Sequence, residues 1–154
     1  NEIKLNAVFL LVGAFDVSYE RNLSETSSAG ISAFVPFDED NFDTDLNFYV
    51  SPYYRIFFGK KYAAGFFIEG FGMVSSYDER ESFFTGNEFD PILVTTEESI
   101  TNVALGFGLG GKWVTKSGIV FELSGGVGRN LFNNSNNSDF DFIGKFGFNL
   151  GYRF

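Results

Sequence analysis

From Phe140 to Phe154 the chain alternates: Phe140, Phe142, Gly144, Phe146, Phe148, Leu150, Tyr152 and Phe154 take every second position, with Asp141, Ile143, Lys145, Gly147, Asn149, Gly151 and Arg153 between them. Residues two apart share one face of a β-strand, so the segment predicts a strand with an aromatic face and a polar face. A soluble sandwich could bury such a face, but its core strands do not normally run for fifteen residues to the last residue of a sequence.

The same period predicts seven further strands. Strand one covers Glu2–Leu11, with Ile3, Leu5, Ala7 and Phe9 opposite Lys4 and Asn6. Strand two covers Ala14–Asn22, strand three Ser28–Phe37 and strand four Asp45–Phe58, where Arg55 lies opposite Tyr54 and Ile56. Pro52 cannot donate to a ladder, which predicts a bulge or local distortion in strand four. Strand five, Ala63–Tyr77, is the least regular, because Phe67, Phe71 and Met73 share a face with Glu69. Strands six (Thr101–Thr115) and seven (Gly118–Asn130) carry Lys112 and Glu122 on glycine-rich faces, which suit the crowded inner wall of a small barrel or bends in it.

Composition narrows the setting. The 154 residues include 22 Phe, 7 Tyr and 18 Gly, with no His and no Cys. The longest charge-free stretch, Ser99–Gly111, has 13 residues, too few for a spanning helix of about 20 residues but enough for a tilted spanning strand of about 10. In a membrane this chain would therefore be a barrel, and eight strands is the smallest common size. No secretion signal is visible before the first strand, so the sequence reads as a mature form. One domain over residues 1–154 is the expectation from length. The net charge of −9 disfavours nucleic acid as a partner.

The connections are unequal. Short links are predicted at Leu23–Ser27, Gly59–Tyr62 and Lys116–Gly118, longer ones at Asp38–Thr44, Asp78–Ile100 and Leu131–Asp139, with a tight first hairpin at Val12–Gly13. Short turns on one rim and long loops on the other is the pattern of outer-membrane barrels, which places both chain ends on the periplasmic side. Fourteen acidic residues lie in or beside the long links, with Arg80 as the one base, so the acidity belongs to one rim.

The ending Phe-Asn-Leu-Gly-Tyr-Arg-Phe resembles the C-terminal signal of bacterial outer-membrane proteins, in which Phe148, Leu150, Tyr152 and Phe154 would be read by the barrel-assembly machinery. The chain as a whole resembles eight-stranded barrels of OmpA/OmpX size. Its opening, Asn1–Leu11 with Ser18-Tyr19-Glu20-Arg21, resembles a Bacteroidetes outer-membrane family of unknown function. The resemblance implies an all-β, antiparallel up-and-down transmembrane barrel and carries no activity.

The polar faces hold Lys4, Asp16, Glu20, Arg55, Glu69, Lys112, Glu122, Asp141, Lys145 and Arg153, five of each sign. An eight-stranded barrel is just wide enough to be filled by side chains, and charges inside it must be paired. They read as a structural salt-bridge plug or, with one pair exchanging partners, a gate. Asp38, Asp40, Asp43 and Asp45 have calcium-like oxygen density but lack the EF-hand glycine and glutamate. This segment reads as a solvated acidic loop or a divalent-ion bridge to lipopolysaccharide.

Without His, the Ser–His site of lipid A acylases and deacylases is excluded, so neither an enzyme nor a cofactor is expected. The apolar residues of Asp78–Ile100 suggest a loop that folds over the mouth or docks on a partner. Tyr49, Tyr53, Tyr54, Tyr62, Trp113 and Tyr152 read as belt aromatics at the membrane interface.

These observations favour a structural or accessory subunit with acidic extracellular loops. Its partners would be outer-membrane lipid, lipopolysaccharide or a larger outer-membrane complex. A narrow channel for small or hydrophobic solutes is the alternative, suggested by Phe67, Phe71 and Met73. A soluble lipocalin-like carrier is a third reading.

Overall fold

The computed structural model describes residues 1–37, 46–87, 90–131 and 142–154, with the backbone alone for 77–100. Its eight strands are β1 (Glu2–Asn6), β2 (Ala14–Asn22), β3 (Ser27–Pro36), β4 (Leu46–Lys61), β5 (Ala64–Asn87), β6 (Asp90–Val114), β7 (Ile119–Asn130) and β8 (Phe142–Arg153). Each pairs antiparallel with its sequence neighbours, and β1 pairs with β8 to close the barrel. Alternation places most of the described charged side chains of the strands inward, Arg21, Arg129 and, at the end of β4, Lys60 and Lys61 excepted. Large apolar side chains cover the outside, with Phe107 at 70% and Phe142 at 71% exposure.

The first strand is half its predicted length. After Asn6 the chain forms a one-turn helix, α1 (Ala7–Leu11), in place of the predicted second half of the strand and tight hairpin. The run Ala-Val-Phe-Leu-Leu is apolar at every position, so no period favours a strand there. Asn6 supplies the stop. Its Oδ1 accepts from the Val8 N–H at 3.2 Å, capping the helix, and its Nδ2 donates to the Phe146 carbonyl at 3.2 Å on β8. Phe9 of α1 then packs edge-on against Phe34, with ring centroids 5.2 Å apart. Gly13, at φ +94°, turns the chain into β2.

The predicted loop Asp78–Ile100 is a second departure. Apart from residues 88–89, its backbone continues β5 and β6 as a hairpin, in unbroken register from Gly65↔Lys112 to Asn87↔Asp90. β4 pairs with β5 only as far as Tyr77, and β7 with β6 only from Ala104. Beyond those points, among the described residues, the two strands pair only with each other, as a two-stranded ribbon at the long-loop rim.

Pro52 produces no bulge. The β4–β5 register is the same on both sides of it, Val50↔Val74 and Tyr53↔Phe71, and the irregularities fall instead at Leu46/Phe48 and Phe58/Lys61. The Phe57 N–H donates to the carbonyl of Thr26, just before β3, so odd-numbered β4 residues bond to β3 and even-numbered ones face β5. Pro52 therefore lacks the N–H that would meet Gly72. The Ser51 hydroxyl replaces it, donating to the Gly72 carbonyl at 2.8 Å.

Ser51→Ala should leave that carbonyl unpaired and lower stability by about 1–3 kcal/mol in denaturant unfolding. Ser51→Ala/Pro52→Ala, which restores a backbone donor, should recover most of the loss.

Candidate functional site in the barrel lumen

The inward faces build three tiers. At the short-turn end, Phe57, Ala63 and Phe67 form an apolar floor. Towards the long-loop end, Phe34, Tyr49, Tyr53, Phe71 and Met73 form an upper cluster with Ala14 and Ala104. Between them lies an ionic belt.

Arg55 is the hub of the belt. Its Nε donates to Glu69 at 2.6 Å, its Nη1 to Glu20 at 2.7 Å and to Glu122 at 2.8 Å, and its Nη2 to Glu122 at 3.0 Å. Lys4 Nζ bridges Glu20 at 2.5 Å and Glu122 at 2.6 Å. Lys112 donates to Glu2 at 3.0 Å and also to Glu20. Lys145 meets Glu69 at 2.7 Å, and Arg153 Nε meets Glu2 at 2.8 Å. Neutral donors complete the carboxylates: Tyr53 OH to Glu20 at 3.3 Å and Asn149 Nδ2 to Glu122 at 3.0 Å. Asp16 has no ion pair of this kind and accepts from Tyr49 OH at 3.0 Å and Asn6 Nδ2 at 3.1 Å.

The aromatic tiers hold the cations as well. The Arg55 guanidinium lies between the rings of Tyr53 and Phe67, at 4.3 and 4.4 Å from their centroids. Lys145 sits 5.0 Å from Tyr53 and 4.8 Å from Phe71. Glycines on the neighbouring strand β6, the cross-strand partners of Phe67 and Phe71, make room for these rings. A Cβ at Gly110 would stand 2.6 Å from Cζ of Phe67, and one at Gly106 would collide with Phe71.

All eight lumen residues singled out in the sequence (Lys4, Glu20, Arg55, Glu69, Lys112, Glu122, Lys145 and Arg153) lie in this network. Glu2, fully buried, belongs to it too, and its parity with Lys4 on β1 was the available signal. Among the described residues the lumen thus holds four glutamates (Glu2, Glu20, Glu69, Glu122) in ion pairs with five cations (Lys4, Arg55, Lys112, Lys145, Arg153). A fifth carboxylate, Asp16, is held by neutral donors, so the charges balance.

Tyr49 and Tyr53 are not belt aromatics: both are buried in the lumen on the face they share with Arg55, whereas Tyr54, Tyr62, Trp113 and Tyr152 are exposed. Asp141 and the acidic segment with Asp38, Asp40, Asp43 and Asp45 lie outside the described residues. Phe148, Leu150, Tyr152 and Phe154 share the exposed outer face of the last strand.

Comparison with protein-family models, curated proteins and solved structures gave no match. Chemically, the belt holds fixed, mutually neutralised charges between two apolar tiers. Such an arrangement braces the wall and fills the space through which a solute would pass.

Removing one member should expose what the others were neutralising. Glu20→Gln leaves Lys4, Arg55 and Lys112 short of a carboxylate and should cost about 3–5 kcal/mol in denaturant unfolding. Glu25→Gln, on an exposed turn, should change stability by less than about 0.5 kcal/mol.

Proposed function

We propose that this chain is a non-enzymatic integral barrel of the bacterial outer membrane, a structural or accessory subunit with a charge-plugged lumen. The observation that carries the reading is the inversion of the usual polarity. The charges converge in the lumen, while Ile3, Phe15, Ile31, Ile56, Phe66, Phe107, Phe121 and Phe148 stand exposed outside on successive strands. A soluble protein rarely exposes an apolar patch larger than a few hundred Å². A closed barrel in lipid needs an apolar exterior and has no free sheet edge. The same inversion weighs against a soluble lipocalin-like carrier, which needs a polar exterior around an apolar cavity.

Exposed Tyr62, Trp113, Tyr152 and Phe154 gather near the short-turn end, where an aromatic girdle supports placing that rim at one membrane interface. Most acidic residues of the sequence fall between strands that end at the opposite rim or in the ribbon there, and in this reading they would face the cell exterior, lipopolysaccharide or a partner protein. The β5–β6 ribbon extends the reach of that rim and favours docking over a lid across the mouth. Against a channel stands the filling of the lumen: the inward Phe67 and Phe71 that suggested a path for hydrophobic solutes are packed against Arg55 and Lys145.

Two measurements test the reading. The protein should remain in the membrane pellet after alkaline carbonate washing and aggregate when detergent is removed; a protein that stays dispersed without detergent overturns membrane insertion. In planar bilayers the wild type should show no conductance steps. Steady unitary currents that change in Glu69→Gln would replace the plug with the gated channel.

A further inference from the structure

The outer wall is not uniformly filled. Over β5–β8, near the short-turn end, a furrow of about 510 Å³ runs between Phe66, Leu109, Trp113, Leu123 and Phe146. Its floor includes Gly125, where an added Cβ would meet nothing within 4 Å. A second furrow of about 400 Å³ shares Leu109 with the first and lies over β4–β6, with Gly70 as an equally open floor position. Each volume falls within the range of small-molecule sites. Apart from Ser124 in the first and Glu69 in the second, their linings are hydrocarbon, aromatic ring and glycine, and the Glu69 carboxylate is turned into the lumen. What they accept is therefore an apolar chain, and two adjoining furrows accept two chains.

The rim beneath supplies a charge. Once the balanced belt is set aside, the short-turn end carries Arg21, Lys60, Lys61 and Lys116, opposed in the turns by Glu25. Lys60 and Lys61 close β4 just before the turn into Gly65, which lines the first furrow. Lys116 follows Trp113 by three residues, in the turn from β6 to β7. These lysines are exposed and form no ion pair among the described residues. Exposed basic residues beside an apolar wall attract anionic lipid headgroups, and an exposed Trp at the same level suits the headgroup boundary.

From this juxtaposition we infer that the wall over β4–β8 binds one anionic phospholipid, a chain in each furrow and the phosphate against Lys60, Lys61 and Lys116. The inference rests on the membrane reading. It goes beyond that reading by naming a lipid class and a place on the barrel.

The test uses full-length protein in mild non-ionic detergent, mixed with phosphatidylglycerol or phosphatidylcholine of identical chains. Native mass spectrometry reads the retained lipid, and thermal melting reads the stabilisation. The wild type should retain phosphatidylglycerol about tenfold more than phosphatidylcholine and melt higher with it, as expected for a ligand that binds the folded state alone. Lys60→Gln/Lys61→Gln/Lys116→Gln should abolish the preference. Gly125→Leu and Gly70→Leu, which fill one furrow each without meeting a neighbour at Cβ, should each reduce retention of phosphatidylglycerol at least fivefold.

Gly144→Leu, equally open but outside both furrows, is the control for the fold and should retain lipid as the wild type does. Inorganic phosphate at millimolar concentration should not reproduce the melting shift. Equal retention of the two lipids by the wild type, undiminished retention in both glycine variants, or an equal shift with phosphate alone overturns the site. A carbonate-resistant protein that fails these tests loses the lipid site alone; one that needs no detergent loses the membrane reading with it.

Discussion

Everything in this barrel is arranged around the neutralisation of one buried guanidinium. Arg55 on β4 is met by Glu20 from β2, Glu69 from β5 and Glu122 from β7, while Lys4 from β1 binds two of the same carboxylates. Desolvating a charge costs several kcal/mol unless geometry and hydrogen bonding offset it, so no one of these strands can choose its register alone. A slip by one residue would turn a carboxylate outward and strand its partner inside. The ionic belt acts mainly as a device for specificity: it selects one closure of the sheet among many that would bury similar apolar area.

The belt in turn explains where large and small residues stand. A guanidinium held by two rings needs those rings to lie over the inner wall, and the wall beside them must be bare to let them. Hence Gly106 and Gly110 on β6, the cross-strand partners of Phe71 and Phe67, and Gly126 on β7 leave room for the β5 rings, as Gly30 on β3 does for Tyr53 of β4. Gly106 and Gly110 are complementary to Phe71 and Phe67 as surely as Glu122 is to Arg55. Glycines on the outer faces have another consequence: Gly70 and Gly125 leave relief on a wall that is otherwise aliphatic and aromatic.

Strand number, antiparallel order and the inward set were legible because period-2 alternation survives along most of the chain. The departures have physical reasons. Residues 7–11 are uniformly apolar, so the decision between strand and helix falls to a single capping side chain, Asn6, with its partner on β8 far away in sequence. In Asp78–Ile100 acidic and apolar residues take both odd and even positions, which erases the strand signal although the backbone of Asp78–Asn87 pairs with that of Asp90–Ser99 as a ribbon. Tyr49 and Tyr53 share parity with Arg55, and that geometry outweighed the general habit of tyrosine to sit at interfaces. At Pro52 the sequence predicts a bulge or local distortion, and the β4–β5 ladder does skip Ser51 and Pro52. The sequence does not reveal that the preceding serine hydroxyl stands in for the missing amide and that the register is kept.

The joint between first and last strands has a consequence for how such a barrel assembles. It is short, five residue pairs from Glu2↔Arg153 to Asn6↔Asn149, and joins segments separated by nearly the whole chain, so it is the contact of highest order in the fold. Until it forms, β1–β8 are a curled sheet in which Glu122 on β7 lacks Lys4 of β1, and Arg153 on β8 lacks Glu2. The open sheet therefore carries both raw edges and unmatched charge, two penalties that a single event removes together. Closure is thereby made cooperative: a half-shut barrel gains little hydrogen bonding and keeps its electrostatic debt, so the population divides sharply between open sheet and sealed cylinder.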